Sequence, residues 1–206
     1  MKDSLRIGKF LISTGVNGPG KRFVIWFQGC PFRCKGCFNS EFWDEKGGVL
    51  MHIDDVMEHI SRAKGIEGVT FTGGEPLMQT EPLLELAKKI KKKGLTIVCY
   101  TGYTYEEIIS GKVAGAKELL KWFDILIDGL YKEEDKASLL WRGSKNQKVH
   151  FLTQRYKYLE PLAQKEGFRE VELRISNDEI TITGIFDLIL WEKLKTKLIK
   201  GVNRDG

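Results

Sequence analysis

Cysteine is scarce in this chain, with four among 206 residues. That number does not make a disulfide scaffold, and a chain of this length is long enough to bury a hydrophobic core without one. Long apolar runs are also missing. No stretch approaches the ~18 apolar residues of a membrane span. The opening "MKDSLRIGKFLIS" carries charges throughout and has no uninterrupted apolar segment of the signal-peptide kind. The expectation is a cytoplasmic protein, in which clustered thiols stay reduced and point to metal or redox chemistry. Charge of one sign is not in large excess: 33 basic against 28 acidic residues leave +5. That is too mild to require nucleic acid or a membrane surface as partner. Much of the excess lies in "KKIKKKG", Lys88 to Gly94, which reads as a helix C-terminus, its lysines complementing the dipole and Gly94 ending it. There is no internal repeat, low-complexity tract or Ser/Pro-rich linker.

What is present is alternation of strands and helices. "RFVIWF" (Arg22–Phe27), "GVTFTGG" (Gly68–Gly74), "LTIVCYTG" (Leu95–Gly102) and "FDILIDG" (Phe123–Gly129) read as buried strands, with "NQKVHFL" (Asn146–Leu152) as a fifth. Ile53, Val56, Met57 and Ile60 share one helical face, as do Leu83, Leu86, Ala87 and Ile90. Further helical stretches are expected around Glu106–Ile108 and from Gln154 to Lys165. Nearly continuous apolar strands between helices argue for a parallel α/β sheet. "REVELRISNDEITITG" (Arg169–Gly184) alternates on both sides of "SND" and reads as a hairpin. Phe186 to Lys200 spaces Leu188, Trp191, Leu194 and Leu198 as an amphipathic helix, expected to pack on the chain's own core.

Three of the four cysteines fall within eight residues: Cys30, Cys34 and Cys37, spaced C-x3-C-x2-C in "FQGCPFRCKGCFNSEFW". They follow the first of these strands, and the carboxyl ends of parallel strands form the ligand face of α/β sheets. Three thiols are an odd number for disulfides. A structural zinc site would need a fourth ligand, with Cys99, His52, His59 and His150 as candidates. An iron–sulfur cluster suits soft thiolates, and three of them leave one iron open to a small chelating molecule. Further on, "TGGEP" (Thr72–Pro76) sets adjacent glycines at a strand end. Backbone there would approach a ligand closely, and Glu75 would help hold an ammonium; the same pattern suits an ordinary turn with a proline opening the next helix.

Together these motifs resemble the radical S-adenosylmethionine (SAM) enzymes, and within them the glycyl-radical activating enzymes. The likeness is carried by "NGPGKR" (Asn17–Arg22), "GCPFRCKGCFN" (Gly29–Asn39), "TGGEP", "YTGY" (Tyr100–Tyr103), "IDGLY" (Ile127–Tyr131) and "WRGSKNQ" (Trp141–Gln147), and spans residues 6–150. Many superfamily members have an aromatic before the third cysteine; here Gly36 stands there and the aromatic is Phe38, just after it. The region after Leu152 has no counterpart.

The resemblance implies an α/β fold of partial (β/α)-barrel type. It would have a radical SAM core at residues 1–152 and an extension at 153–206, a β-hairpin and helix packed on that core. Cys30, Cys34 and Cys37 would ligate three irons of a [4Fe–4S] cluster, and SAM would chelate the fourth. Gly73, Gly74 and Glu75 would hold its methionine ammonium, Gly36, Cys37 and Phe38 would lie beside the adenine, and Asp128 would contact SAM or cap a helix. Reductive cleavage of SAM would give a 5′-deoxyadenosyl radical that abstracts hydrogen from a glycine of a second protein, a glycyl-radical enzyme such as an anaerobic ribonucleotide reductase. Hydrogen-atom abstraction needs no acid–base pair or activated nucleophile. The electron would come from a low-potential donor such as flavodoxin or ferredoxin. Arg142, Ser144, Asn146 and Gln147 would line the partner's glycine loop or brace the barrel edge. The rivals are an activase for another glycyl-radical enzyme, a small-molecule radical SAM enzyme of the deazapurine-synthase type, and a zinc-stabilised binding module.

Overall fold

The computed structural model describes residues 3–168, 170–175 and 180–185, with Lys193, Thr196 and Lys197 beyond them. The expected helix of Phe186 to Lys200 lies, but for those three, outside the described residues. In chain order the elements are β1 (Ser4–Thr14), β2 (Lys21–Phe27), β3 (Val49–His52), α1 (Ile53–Arg62), β4 (Gly68–Gly73), α2 (Thr80–Lys92), β5 (Thr96–Tyr100), α3 (Tyr105–Ile109), α4 (Ala116–Leu119), β6 (Ile125–Asp128), β7 (Lys136–Leu139), β8 (Arg142–Ser144), β9 (Lys148–Phe151), α5 (Glu160–Ala163), β10 (Val171–Ile175) and β11 (Ile180–Gly184).

Seven strands form one mixed sheet in the order β3-β1-β2-β4-β5-β6-β9. Its centre, β2-β4-β5-β6, is parallel, as the continuous apolar runs predict. The flanks are antiparallel: β1 pairs with β2 and β3, and β9 returns against β6. The expectation of a parallel sheet therefore holds at the centre and is corrected at the flanks. Only the β7–β8 excursion, with no crossover helix, separates β6 from β9, so the chain re-enters beside β6 in the opposite direction. The expected helix from Gln154 to Lys165 is instead a 3-10 stretch, Gln154–Leu159, followed by the single turn of α5, near whose start Pro161 stands.

Helices cover one face of the sheet. Ile25, Phe27, Val69, Phe71, Ile97, Cys99 and Leu126 pack against Val56 and Ile60 of α1, Leu83, Leu86 and Ile90 of α2 and Leu119 of α4. The alternate residues point the other way. Val24 and Trp26 meet Phe42, while Val98, Ile125 and Ile127 meet Leu140, Trp141 and Tyr156. This second face is covered by loops and short strands, and it is where room for a ligand remains. Lys93 and Gly94 end α2, Gly94 with φ 73°. Of the lysines in that run, Lys88 pairs with Glu85, Lys89 with Asp54 and Lys91 with Asp124. Among the described residues no helix is long and apolar enough to cross a membrane.

The expected hairpin forms as β10–β11. It sits over β1 and the turn after it: Glu172 accepts from Ser13 and Thr14, Asn17 donates to Thr183, and Lys9 donates to Thr181.

Candidate active site

The loop that follows β2 is shaped by its backbone. Gly29, Arg33 and Gly36, the residues directly before the three cysteines, have φ of 95°, 48° and 75°. A left-handed residue reverses the local chain direction, so three of them fold the loop back on itself, and the three sulfurs come near enough to feel one another's charge. Arg33 holds this conformation without being glycine, a strained choice that clusters at functional sites. The loop is anchored outside itself as well: the amides of Gly29 and Cys30 donate to the carbonyls of Phe42 and Trp43 at 2.9 and 3.1 Å, and that of Cys37 donates back to Cys34 at 3.1 Å.

All three thiols are free and half-buried. Burial pushes the Cys30 and Cys34 thiols up, each is raised further by the charge of the Cys37 sulfur, and backbone amides pull back. The amides of Phe32 and Arg33 face Cys30, that of Tyr131 faces Cys34, and that of Asn39 lies 3.4 Å from Cys37 Sγ. Such amides stabilise anionic sulfur. Among the described residues no three His, Cys, Asp or Glu stand close enough together for one metal ion. A cubane cluster asks for a wider arrangement, because each of its ligands binds a different iron. A half-buried, amide-lined set of three thiols fits that group.

The four candidates for a further zinc ligand are engaged elsewhere. Cys99 is fully buried under the helices, its thiol pushed well up by burial. His52 caps α1 by accepting from Asp54, His59 packs its ring on Phe10, and His150 stacks on Tyr105.

The double glycine meets the cysteine loop directly. Gly74 and Glu75 donate their amides to the carbonyls of Phe27 and Gly29 at 2.7 and 2.8 Å. A Cβ on Gly74 would overlap the Gly29 carbonyl oxygen, and one on Gly73 (φ 101°) would stand 2.6 Å from the backbone of Trp26 and Phe27. These are close backbone approaches that only glycine allows. Pro76 does open the next helical turn, Pro76–Gln79.

Glu75 points inward. At 1% exposure its carboxylate accepts from Leu77 N and Gly102 N at 2.8 Å and from Thr101 Oγ1 at 2.9 Å. Burial pushes its pKa up to about 7 against the pull of those donors. It is therefore a strut between the double-glycine loop and the "YTGY" loop, and Gly102 in turn supports the cysteine loop. A Cβ on Gly102 would stand 2.6 Å from the Phe32 ring, which also meets the Tyr103 ring edge-on at 4.8 Å.

Phe38 faces Tyr131 with ring centroids 6.1 Å apart, and a Cβ on Gly36 would touch Tyr131 at 3.3 Å. Asp128 is 2% exposed and accepts from Tyr105 N, the first residue of α3, and from Lys148 N. His150 Nε2 stands 3.1 Å from its Oδ2, within ion-pair range but off line for a hydrogen bond. Burial opposes ionisation of Asp128, but His150 and the two amides outweigh it and hold the carboxyl below its ordinary value.

The "WRGSKNQ" residues turn largely inward. Gln147 accepts from the Gly143 and Ser144 amides and donates to Gly129 O, Asn146 donates to Leu130 O, and Arg142 donates to Gln147 O and Ala163 O. Trp141, left-handed at φ 58°, donates to Gly15 O.

Beside these loops, on the helix-free face, lies a cavity of about 540 Å³. Trp26, Thr72 and Tyr100 form its floor, Cys37 and Phe38 one side, and Ile180 to Ile185 another. Sequence reasoning missed the hairpin's part in this cavity, the roles of Arg33 and Gly102, and the internal use of Glu75. "YTGY" was the one signal for Gly102.

Residues 16–150 match the family described as the 4Fe-4S single cluster domain. Among curated relatives, the anaerobic ribonucleoside-triphosphate reductase-activating protein of Enterobacteria phage T4 is 37% identical over 65% of this chain and 86% of that one. Its namesake from Haemophilus influenzae is 37% identical over 66% and 90%. The pyruvate formate-lyase-activating enzyme of Clostridium pasteurianum is 35% identical over 58% of this chain and 50% of that one. A crystal structure of QueE from Escherichia coli aligns with 49% of this chain and 53% of its own, at 21% identity and TM-score 0.42. A family match over most of the core, on three thiols seated against a double glycine, means that the chain belongs to the 4Fe–4S single-cluster family, with the anaerobic ribonucleoside-triphosphate reductase-activating proteins, enzymes of the radical SAM type.

Proposed function

We propose that this protein is a radical SAM activase that installs a glycyl radical on an anaerobic ribonucleotide reductase. Its core, residues 1–152, is read as a partial (β/α) barrel and residues 153–206 as an extension packed on it. The carrying observation is the contact of the three-thiol loop with the Gly73–Gly74 backbone beside a cavity that opens at Cys37.

When bound, the cluster and SAM supply a one-electron cleavage of the sulfonium, yielding methionine and a 5′-deoxyadenosyl radical that takes a hydrogen atom from a glycine Cα. The protein's own work is placement. Cys30, Cys34 and Cys37 would hold three irons, and the amides at their sulfurs would tune the reduction potential there. Gly73 and Gly74 let backbone reach the methionine end of SAM, while Glu75 fixes that loop from beneath. Gly36, Phe38 and Tyr131 form an apolar wall for the adenine. Asp128 holds the start of α3 at the same end of the sheet. The electron would come from a low-potential donor such as flavodoxin or ferredoxin.

The test is electron paramagnetic resonance of the anaerobically reconstituted, reduced protein with and without SAM. A [4Fe–4S]⁺ signal that shifts on adding SAM is expected, with a glycyl-radical doublet once the reductase is added. Cys34→Ala should abolish both in a folded chain, and Cys99→Ala should spare them. Zinc without sulfide in the purified protein would sink the reading. A doublet on pyruvate formate-lyase and none on the reductase would reassign the partner.

A further inference from the structure

The family match ends at residue 150, and the T4 relative is matched over 86% of its length but 65% of this chain. Most of the unmatched length therefore belongs to this chain, and the hairpin lies in it. Its placement is specific. Glu172 Oε2 accepts from Ser13 Oγ at 2.8 Å and from Thr14 N at 2.9 Å, and Asn17 Nδ2 donates to Thr183 Oγ1 at 3.0 Å. Asn17 and Thr183 are 8% and 6% exposed, so this latch is shielded from water and gains strength from it. The latch uses the polar face of the hairpin: Glu172 pairs across from Thr183, and Arg174 from Thr181. The opposite face carries Leu173, Ile175, Ile180 and Ile182. Ile175 there is 66% exposed and Leu173 41%.

The latched hairpin forms a wall of the cavity whose other side is Cys37 and Phe38. Among the described residues β11 pairs with β10 alone, so the backbone of its outer edge is not used in a ladder. A target glycine has no side chain to grip. Recognition of it has to come from backbone pairing and from its neighbours, which is what a strand edge and an adjoining apolar face provide.

We propose that the β10–β11 hairpin is the docking wall for the partner protein, pairing β11 with an extended, glycine-bearing segment and presenting its glycine to the cavity at Cys37. The proposal rests on the activase reading for the identity of the partner. It assigns the hairpin to recognition and leaves the cluster and SAM to the core.

Two measurements on the anaerobically reconstituted full chain decide it. Hydrogen exchange is followed with and without the anaerobic ribonucleoside-triphosphate reductase encoded in the same genome, in the absence of SAM. Slowed exchange at residues 180–185 is expected, and unchanged exchange there overturns the proposal. Leu173→Asp, on the exposed apolar face and outside both the latch and the cavity lining, is then compared with the unaltered chain. Reductive SAM cleavage without partner should be unchanged, while glycyl-radical formation falls about tenfold or more, the scale of losing one well-packed contact. Ser13→Ala, which removes the latch hydrogen bond to Glu172, should act in the same direction. Equal transfer in both variants, or equal loss of SAM cleavage and transfer, overturns it. Absence of SAM cleavage in the unaltered chain would instead remove the activase reading, and the exchange result would still stand on its own.

Discussion

At the scale of single residues, Glu75 shows how a motif letter acquires its meaning. Its carboxylate is buried against three donors, and burial outweighs them enough to lift the pKa to about 7. Between the ordinary carboxylate range and about 7, the folded protein holds a proton that the unfolded chain has released. Stability from this group is thus full at low pH and falls as pH rises toward 7. Glu75→Gln should flatten that dependence, seen as urea midpoints that no longer drift between pH 5 and 7. It should also cost about 1–3 kcal/mol, because an amide group would face the Gly102 or Leu77 N–H. Arg33 makes a second case at this scale. Its left-handed backbone is strained for any side chain, so Arg33→Gly should load iron at least as well as the parent and raise the melting temperature slightly. The sequence marks Glu75 as part of "TGGEP" but does not tell a carboxylate that faces a ligand from one that faces inward. That depends on what Thr101 and Gly102, remote in the chain, bring to it.

Among elements, the legible ones were those whose pattern is local. The apolar faces of α1 and α2 and the continuous runs of β2, β4, β5 and β6 follow from residue spacing, and each appears where the pattern puts it. β1 escaped because its alternation is broken: the register with β2 shifts between Ile7 and Lys9, at Gly8, where the Phe42 ring lies against the backbone. The direction of β9 escaped because periodicity does not record which way a strand runs. Packing between loops carries its own prediction. Phe32 lies against Gly102, so Gly102→Ala should push the cysteine loop off its seat, altering the cluster's EPR line shape and lowering its iron content. A smaller ring-site residue makes room: Phe32→Leu combined with Gly102→Ala should recover the parent spectrum. A double variant no better than the single one would remove Phe32 from the account.

For the whole molecule, the two ends of the sheet have different tasks. At the amino ends of the parallel strands, Arg22 is fully buried and donates to Thr70, Thr96, Pro19 O and Val69 O, with Tyr156 reaching Thr96 and Glu67 beside it. Burial pulls its pKa down, against the opposing pull of Tyr156 and Glu67. The proposed site lies at the carboxyl ends. Arg22→Ala strands several buried acceptors and should cost about 3–5 kcal/mol. The cluster signal of protein folded in the cold should be unaffected, and an altered signal there would mean that the two ends communicate.

The half-buried state of the three thiols bears on upkeep. A loop whose backbone already turns before each cysteine needs no unfolding to receive iron and sulfide. If oxygen destroys the cluster, the expectation is therefore a scaffold left standing, able to take up iron and sulfide again in place and without new synthesis.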